Sequence, residues 1–142
     1  DALINILHVD FAKNNVSVIV GEFEDIEVGN CQNLFTQVLL VLLQNSKEAL
    51  IAHYPDEFKK RQIYIKVKSD ENYIYTEVSD FAGGINDEQA PKLFSNLKIS
   101  KKKGGSGIGL YFAKKIANTK LGGDLTLVSK KDPTVFELRI RK

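Results

Sequence analysis

The chain has little of several features that define other classes of protein. It contains one cysteine, Cys31, among 142 residues, which excludes an internal disulfide and any cysteine-rich metal site and is consistent with a reducing cytosol. No apolar run approaches the roughly 20 residues that a membrane-spanning helix needs, and no secretory signal pattern is present. The formal net charge of +2 is too small to imply a nucleic-acid partner.

Methionine is absent, and the chain begins with Asp1, so we expect it to be a fragment of a longer protein. Its hydrophobic fraction of 43% and charged fraction of 27% are ordinary for a soluble globular domain. A single domain of this length buries about 70% of its unfolded surface. We therefore expect one domain with a sizeable core.

The spacing of apolar residues predicts three main helices and several short strands. Helices are expected at residues 2–12, 31–52 and 108–118, with a short one near residues 88–93. The strands are predicted at residues 16–20, 26–28, 63–68, 73–78, 124–129 and 135–140. The expected fold is α+β, a two-layer α/β sandwich in which a mixed, mostly antiparallel sheet of about five strands is covered on one face by three helices.

Two glycine clusters are the most informative motifs of the sequence, at residues 80–85 (DFAGGI) and 104–110 (GGSGIGL). Glycines let a backbone approach a ligand closely, and a helix that begins after the second cluster would aim free N–H groups at an anion. Upstream, Asn45 lies in an apolar helical run, where its amide must be hydrogen-bonded or must coordinate something. An acid, an amide and a phosphate cradle together predict a nucleotide site.

Each of these features alone has an ordinary structural interpretation. Asn45 could cap a neighbouring loop, Glu48 could be a solvated helix charge, and Asp80 followed by glycines is often a turn. Two common nucleotide-binding folds are excluded. The second glycine cluster has neither the spacing nor the preceding strand of a dinucleotide fingerprint, and no Gly-Lys-Ser/Thr sequence forms a phosphate loop.

Four segments in order resemble the ATP-binding catalytic domain of sensor histidine kinases, in the superfamily that includes the gyrase, Hsp90 and MutL ATPases. Residues 37–50 resemble the asparagine box and residues 80–85 the first glycine box. Residues 93–101 resemble the phenylalanine box with the start of the ATP lid, and residues 105–110 the second glycine box. The resemblance covers roughly residues 16–141 and implies the Bergerat-type ATP-binding fold with ATP and Mg²⁺ as cofactors.

The resemblance implies roles for the matched positions. Asn45 would hold the magnesium ion, Asp80 would accept a hydrogen bond from the adenine amine, and Phe94 would anchor the base of the lid. Lys101 would contact a phosphate, a solvated loop lysine being the alternative for it. No residue is assigned as catalytic, Glu48 being the one candidate. The implied ATP-binding positions are Asn45, Asp80, Gly84, Ile85, Phe94, Lys101, Gly105, Ser106, Gly107, Ile108, Gly109 and Leu110.

Three positions depart from the family pattern. Val41 replaces the first polar residue of the asparagine box, which in the gyrase, Hsp90 and MutL branch is the glutamate that activates water. Valine cannot do this, which argues against a self-sufficient ATPase of that branch. Phe81 and Ala82 replace a common asparagine and a glycine of the first glycine box, and we expect weakened or altered nucleotide binding as one outcome of these changes.

The resemblance implies a two-component protein histidine kinase, a transferase acting in signal transduction. Residues 16–142 would be its ATP-binding catalytic domain and residues 1–15 the end of a connector helix from an upstream dimerisation domain, which would carry the accepting histidine of this phosphoprotein. His8 and His53 are interpreted as structural or surface groups. The alternatives are a degenerate nucleotide-sensing domain that acts by binding a partner, and an anti-sigma-factor-type serine kinase.

The expected partners follow from the same resemblance. They are the upstream dimerisation domain and a response regulator that is reached through the phosphohistidine, with no nucleic acid. The parent protein is expected to be a homodimer and this fragment a monomer. A cytoplasmic location is expected for the domain, with membrane attachment of the parent protein left open.

Overall fold

The computed structural model describes residues 11–23, 32–95 and 109–142. Its five strands are β1 (Ser17–Phe23), β2 (Gln62–Ser69), β3 (Tyr73–Asp80), β4 (Asp124–Ser129) and β5 (Thr134–Arg141). Its two long helices are α1 (Gln32–His53) and α2 (Gly109–Thr119), and single 3₁₀ turns occur at Phe58–Lys60 and Ala90–Lys92. A helical turn at residues 11–13 precedes β1.

The strands form one mixed sheet in the order β1-β2-β3-β5-β4. β1 runs parallel to β2, whereas the β2–β3, β3–β5 and β4–β5 pairs are antiparallel. Parallel neighbours need a crossover connection, and α1 lies in the connection between β1 and β2. The α+β fold with a mostly antiparallel sheet of five strands is thus confirmed.

Regular alternation along the strands separates a buried face from an outer face. Every second residue of β3 and of β5 is buried, as the two-residue period of a half-covered strand requires. These side chains join the buried faces of α1 and α2 in one core. The fully buried strand residues include Ile63, Val78, Leu125, Phe136 and Leu138. Both long helices therefore cover the same face of the sheet.

The predicted boundaries agree with the described elements to within a few residues. The helix before β1 ends at the expected asparagine pair, since Asn15 has a φ of 57°, a conformation that asparagine tolerates well. β1 is longer than the predicted strand because its pairing with β2 continues past an irregularity, to Phe23 opposite Val67. The helix expected near residues 88–93 is only the 3₁₀ turn Ala90–Lys92.

Some predictions lie outside the described residues. These are the helix over residues 2–10, Cys31, the strand at residues 26–28 and the segment of residues 96–108 with most of the second glycine cluster. In the described ranges, no helix is long and apolar enough to cross a membrane.

Candidate nucleotide-binding site

Asp80 is the last residue of β3, and its side chain lies on the buried face of the sheet. It is only 2% exposed, and its neighbours in register are Ile63 on β2 and Thr134 on β5. Thr134 is also buried, at 4% exposed. Because residues directly opposite each other in an antiparallel pair share a face, a carboxylate and a hydroxyl stand side by side at this edge of the core.

Sequence reasoning identified Asp80 but missed Thr134. A threonine at the start of a strand carries no motif, and its place beside Asp80 depends on the register between β3 and β5. The sequence predicts where the strands lie along the chain but not which residues of β3 and β5 pair. Only the pairing in the folded sheet brings the hydroxyl to the carboxylate.

The loop at residues 81–85 leaves Asp80 through two glycines with positive φ, Gly83 at 86° and Gly84 at 77°. A Cβ on Gly84 would lie 2.7 Å from the carbonyl oxygen of Lys130, and one on Gly83 would lie 2.8 Å from Cε1 of His53. Gly84 has no room for a side chain against this backbone carbonyl, whereas at Gly83 the exposed His53 ring would have to shift. At Gly84 the atom that approaches closely is a backbone carbonyl of the β4–β5 turn, and the close approach of a ligand to Gly84 stays a prediction.

Hydrogen bonds fix the 81–85 loop against the β4–β5 turn (residues 130–133). The amide of Ile85 donates to the carbonyl of Lys130 at 2.7 Å, and the amide of Gly83 donates to Oδ1 of Asp132 at 3.2 Å. Lys130 also forms an ion pair with Asp87 at 2.7 Å. Its hydrogen bond and positive charge lower the pKa of the Asp87 carboxyl. The loop thus has a defined position relative to Asp80.

Phe81 lies on the face of the sheet opposite to Asp80. Its side chain is 46% exposed, and its ring meets the ring of Tyr64 edge-on, with centroids 6.4 Å apart. Tyr64 alternates along β2 with the buried Ile63 and Ile65, so it belongs to the outer face. Phe81, which replaces the family's common asparagine, therefore does not occupy the space beside the Asp80 carboxylate.

Across the core, α1 contributes Asn45 and Glu48, both partly buried. Val41 lies one turn before Asn45, on the same side of the helix. A Cβ on Gly109 would come 3.3 Å from Cγ1 of Val41, so the start of α2 packs directly against this turn of α1. The structure thus brings the asparagine box to the helix N-terminus that follows the second glycine cluster.

The remaining described positions of the predicted site pack into or against the core. Leu110 is buried, and Ile85 and Phe94 are partly buried against the core. The Phe94 ring meets that of the fully buried Phe136 edge-on, at 6.1 Å and 90°, and Nζ of Lys114 lies 4.8 Å from the Phe94 ring centroid. Phe94 therefore packs against the core, and its role as the anchor of the lid's base stays a prediction.

Five predicted site residues lie outside the described part of the chain, and no geometry is assigned to them. They are Lys101, Gly105, Ser106, Gly107 and Ile108. His8 is outside it as well.

The described residues 11–23, 32–95 and 109–142 contain no cluster of three or more histidine, cysteine, aspartate or glutamate side chains that could hold a metal ion. A single amide oxygen, as Asn45 offers, suits an ion that takes its other ligands from phosphates and water, which is the usual situation of Mg²⁺. The donor set therefore fits a magnesium ion that arrives with a nucleotide better than a resident metal centre.

Known proteins match both the sequence and the fold. The family described as histidine kinase-, DNA gyrase B- and HSP90-like ATPase matches residues 30–142. The chain belongs to this family. It is a catalytic domain of the histidine kinase ATPase type, as the four sequence boxes predicted.

Individual relatives agree with this assignment. Histidine kinase P4 of Formosa agariphila is 36% identical over an alignment of 87 residues, and the match covers 55% of this chain and 6% of that protein. The chain thus spans a small part of that relative's length. The nucleotide-free catalytic domain of histidine kinase ThkA superposes with a TM-score of 0.77 at 25% identity, covering 99% of this chain and 92% of the other. Another nucleotide-free form of the same domain gives a TM-score of 0.71 at 24% identity, covering 99% and 92%.

Proposed function

We propose that this domain binds Mg²⁺-ATP and delivers the γ-phosphate to a histidine on a separate dimerisation domain of its parent protein. The observation that carries the proposal is the buried carboxylate of Asp80 at the end of β3, beside the Thr134 hydroxyl and a glycine loop of fixed geometry. A buried carboxylate at the edge of the core recognises a ligand that donates hydrogen bonds. The exocyclic amine of adenine is such a donor.

In this proposal the adenine lies against the buried end of β3. Asp80 accepts from the exocyclic amine, and Thr134 offers a second polar group at the same edge. A base that presents an acceptor at that position would oppose the buried carboxylate and would lose the hydrogen bond that adenine makes. In this proposal Asp80 and Thr134 therefore discriminate ATP from GTP.

The phosphates lie between α1 and the start of α2. Asn45 supplies an amide oxygen to Mg²⁺, and the free N–H groups at the start of α2 face the negative charge. Lys101 and the glycines at 105, 107 and 109 are the proposed remaining phosphate contacts. When bound, Mg²⁺ would supply neutralisation of the phosphate charge, while Asn45, Lys101 and the glycines would hold the chain of phosphates in place.

The accepting histidine lies on another domain in this proposal. His53 is the last residue of α1, eight residues from Asn45, which is about 12 Å along a helix. Its ring packs against Gly83, away from the start of α2. The domain thus presents a phosphate and needs an upstream dimerisation domain to receive it, a response regulator being the next acceptor. A cytoplasmic location and a homodimeric parent belong to the same proposal.

A second candidate function is nucleotide sensing by a degenerate domain that acts through a partner. The observation in its favour is Val41, which replaces a polar residue and packs on Gly109 where phosphate ligands would gather.

One experiment separates the two functions. ATP affinity is measured with and without Mg²⁺ for the wild type and Asn45→Ala, and radiolabel transfer from γ-labelled ATP is followed to a histidine-containing dimerisation domain added in trans. We expect Mg²⁺ to tighten ATP binding in the wild type only, and label to appear on the added domain. Binding without any transfer would favour the sensing function, and robust labelling of His8 or His53 in the isolated chain would contradict the proposed acceptor.

A further inference from the structure

Arg61 is a buried cation that joins two separate segments of backbone. The residue is only 6% exposed. Each of the three guanidinium nitrogens donates a hydrogen bond to a backbone carbonyl. Nη1 donates to Asn14 at 2.7 Å, Nε to Tyr54 at 2.9 Å and Nη2 to Pro55 at 3.1 Å. The guanidinium also lies 4.6 Å from the centroid of the Phe58 ring.

These contacts connect the segment before β1 to the end of α1. Asn14 follows the helical turn at residues 11–13, while Tyr54 and Pro55 follow the last residue of α1. A cation suits the carbonyl-rich C-terminal end of a helix, and the planar fork of arginine can serve several carbonyls at once in a way that lysine cannot. Arg61 therefore fixes the backbone of Tyr54 relative to Asn14.

Tyr54 carries the connection onward to the loop after Asp80. Its hydroxyl donates to the carbonyl of Phe81 at 2.7 Å, and its ring meets the neighbouring His53 ring edge-on at 4.6 Å. His53 in turn fills the space beside Gly83. Two consecutive residues at the end of α1 thus hold the first half of the 81–85 loop.

We propose that Tyr54 and Arg61 are positioning residues that couple the segment ahead of β1 to the 81–85 loop, and through it to the affinity of the site for ATP. The nucleotide part of this statement rests on the proposed function. Phe81 directly follows Asp80, so its carbonyl lies within one residue of the group proposed to read adenine. A shift at Asn14 is transmitted by Arg61 to Tyr54 and by the Tyr54 hydroxyl to the loop.

Tyr54→Phe removes only the hydroxyl that reaches Phe81. The matched control is Tyr75→Phe, which also removes one tyrosine hydrogen bond, from the Tyr75 hydroxyl to Asp70 at 2.8 Å, in the turn at the opposite end of β3. We expect Mg²⁺-ATP affinity of the whole chain to fall about fivefold in Tyr54→Phe, the size of one net hydrogen bond. Tyr75→Phe keeps the wild-type affinity.

Amide hydrogen exchange tests the positioning without a nucleotide. The amides of Gly83 and Ile85 are hydrogen-bonded to the β4–β5 turn, and we expect both to exchange faster in Tyr54→Phe and in Arg61→Lys, relative to amides in the centre of β3. Unchanged exchange of Gly83 and Ile85 in folded Tyr54→Phe would overturn the proposal. If the wild type binds no ATP, the proposed function fails, while this comparison still decides the positioning role.

This coupling is reciprocal, because two linked sites change each other's equilibrium by the same factor. Saturating Mg²⁺-ATP should therefore slow exchange of the Asn15 and Val16 amides, which are bonded to Ala12 and Phe11, in the wild type and not in Tyr54→Phe. This comparison needs no substitution of Arg61. Equal slowing in both proteins would show that the Tyr54 hydroxyl does not carry the coupling.

Discussion

At the scale of single residues, Gly84 is a position where both the backbone conformation and the neighbouring atoms exclude a side chain. It has a φ of 77°, and a Cβ there would lie 2.7 Å from a backbone carbonyl oxygen, which cannot move without breaking the turn. We expect Gly84→Ala to lower the free energy of unfolding by about 2 kcal/mol, from backbone strain together with the collision. Urea unfolding measures this change.

Gly21→Ala is the matched control for this substitution. A Cβ on Gly21 would meet its nearest neighbours at 3.6 and 3.8 Å, which are ordinary contact distances, and its φ is outside the left-handed region. The strand should therefore accept alanine at little cost. Equal stability of the two variants would contradict the assignment of strain to Gly84.

At Ser46 we expect a substitution to stabilise the fold, in contrast to Gly84. It is fully buried in α1, and its Oγ has no hydrogen-bond partner among the described residues. Removing an unsatisfied buried hydroxyl removes its desolvation penalty. We expect Ser46→Ala to raise the free energy of unfolding by about 1 kcal/mol, measured by urea unfolding, and a loss of stability would mean that the hydroxyl is satisfied in solution.

Asp70 in the β2–β3 turn gives a prediction about pH. The hydrogen bond from the Tyr75 hydroxyl is the main cause that lowers its pKa, and the amides of Asn72 and Tyr73 add to the effect. A carboxyl with a lowered pKa in the folded state stabilises the fold above its unfolded pKa, and this contribution is lost as the pH falls through the folded value. Tyr75→Phe should raise the pKa of Asp70 and reduce the acid-dependent loss of stability.

Titration of the Asp70 carboxyl by NMR measures this shift directly. The amide donors remain in Tyr75→Phe, so the pKa should move only part of the way to its ordinary value. An unchanged Asp70 pKa would show that the Tyr75 hydroxyl does not hold the carboxylate in solution.

At the scale of elements, Lys114 joins α2 to β4 and to the phenylalanine box. Its Nζ lies 3.0 Å from Oδ1 of Asp124 and donates to the carbonyl of Leu125 at 2.9 Å, while also facing the Phe94 ring. We expect Lys114→Met, which keeps most of the aliphatic stem, to lower the free energy of unfolding by about 1 kcal/mol. Chemical denaturation measures the free energy of unfolding of Lys114→Met and of a control variant at the next residue, Lys115.

Lys115→Met is the control, since Lys115 is exposed on the other side of the same helix turn. It changes charge and helix propensity in the same way as Lys114→Met. A similar loss in both variants would assign the effect to charge or propensity and would contradict the bridging role of Lys114.

The elements themselves were largely predictable, because alternation and helical spacing survive in the sequence of each strand and helix. The hairpin of β2 and β3, the bounds of α1 and the end of the helix before β1 were all predicted closely. Asp80 and Asn45 were singled out as site candidates because their types are unusual in their local patterns, and their roles stay predictions. The extension of β1 to Phe23 was not predicted, because it depends on the pairing of β1 with β2.

The contacts that were missed arise from register and packing. Thr134 lies beside Asp80 only because β5 pairs with β3 in that register. Tyr54 and Arg61 meet the 81–85 loop and Asn14 across 27 and 47 residues of chain, and no local pattern encodes such distances. The contact of Phe81 with Tyr64 on the outer face is of the same kind, because it depends on the alternation of β2 and the path of the chain after β3.

At the scale of the whole molecule, the proposed site would draw on two layers of the fold. In this proposal the sheet supplies the buried Asp80 and Thr134, and the helical layer supplies Asn45 and the start of α2. The 81–85 loop, held by the β4–β5 turn on one side and by Tyr54 on the other, lies next to the sheet contribution. Nucleotide binding is therefore expected to stabilise the whole domain by mass action.

Calorimetric titration of Mg²⁺-ATP into the wild type and Asp80→Asn tests the central claim most directly. Asp70→Asn, at the other end of β3, is the control for loss of one carboxylate. We expect ATP to bind to the wild type and to Asp70→Asn, and its affinity to fall at least a hundredfold in Asp80→Asn, since an amide can present a donor where adenine presents one too. Equal ATP affinity in all three proteins, or no binding to the wild type, would contradict the account.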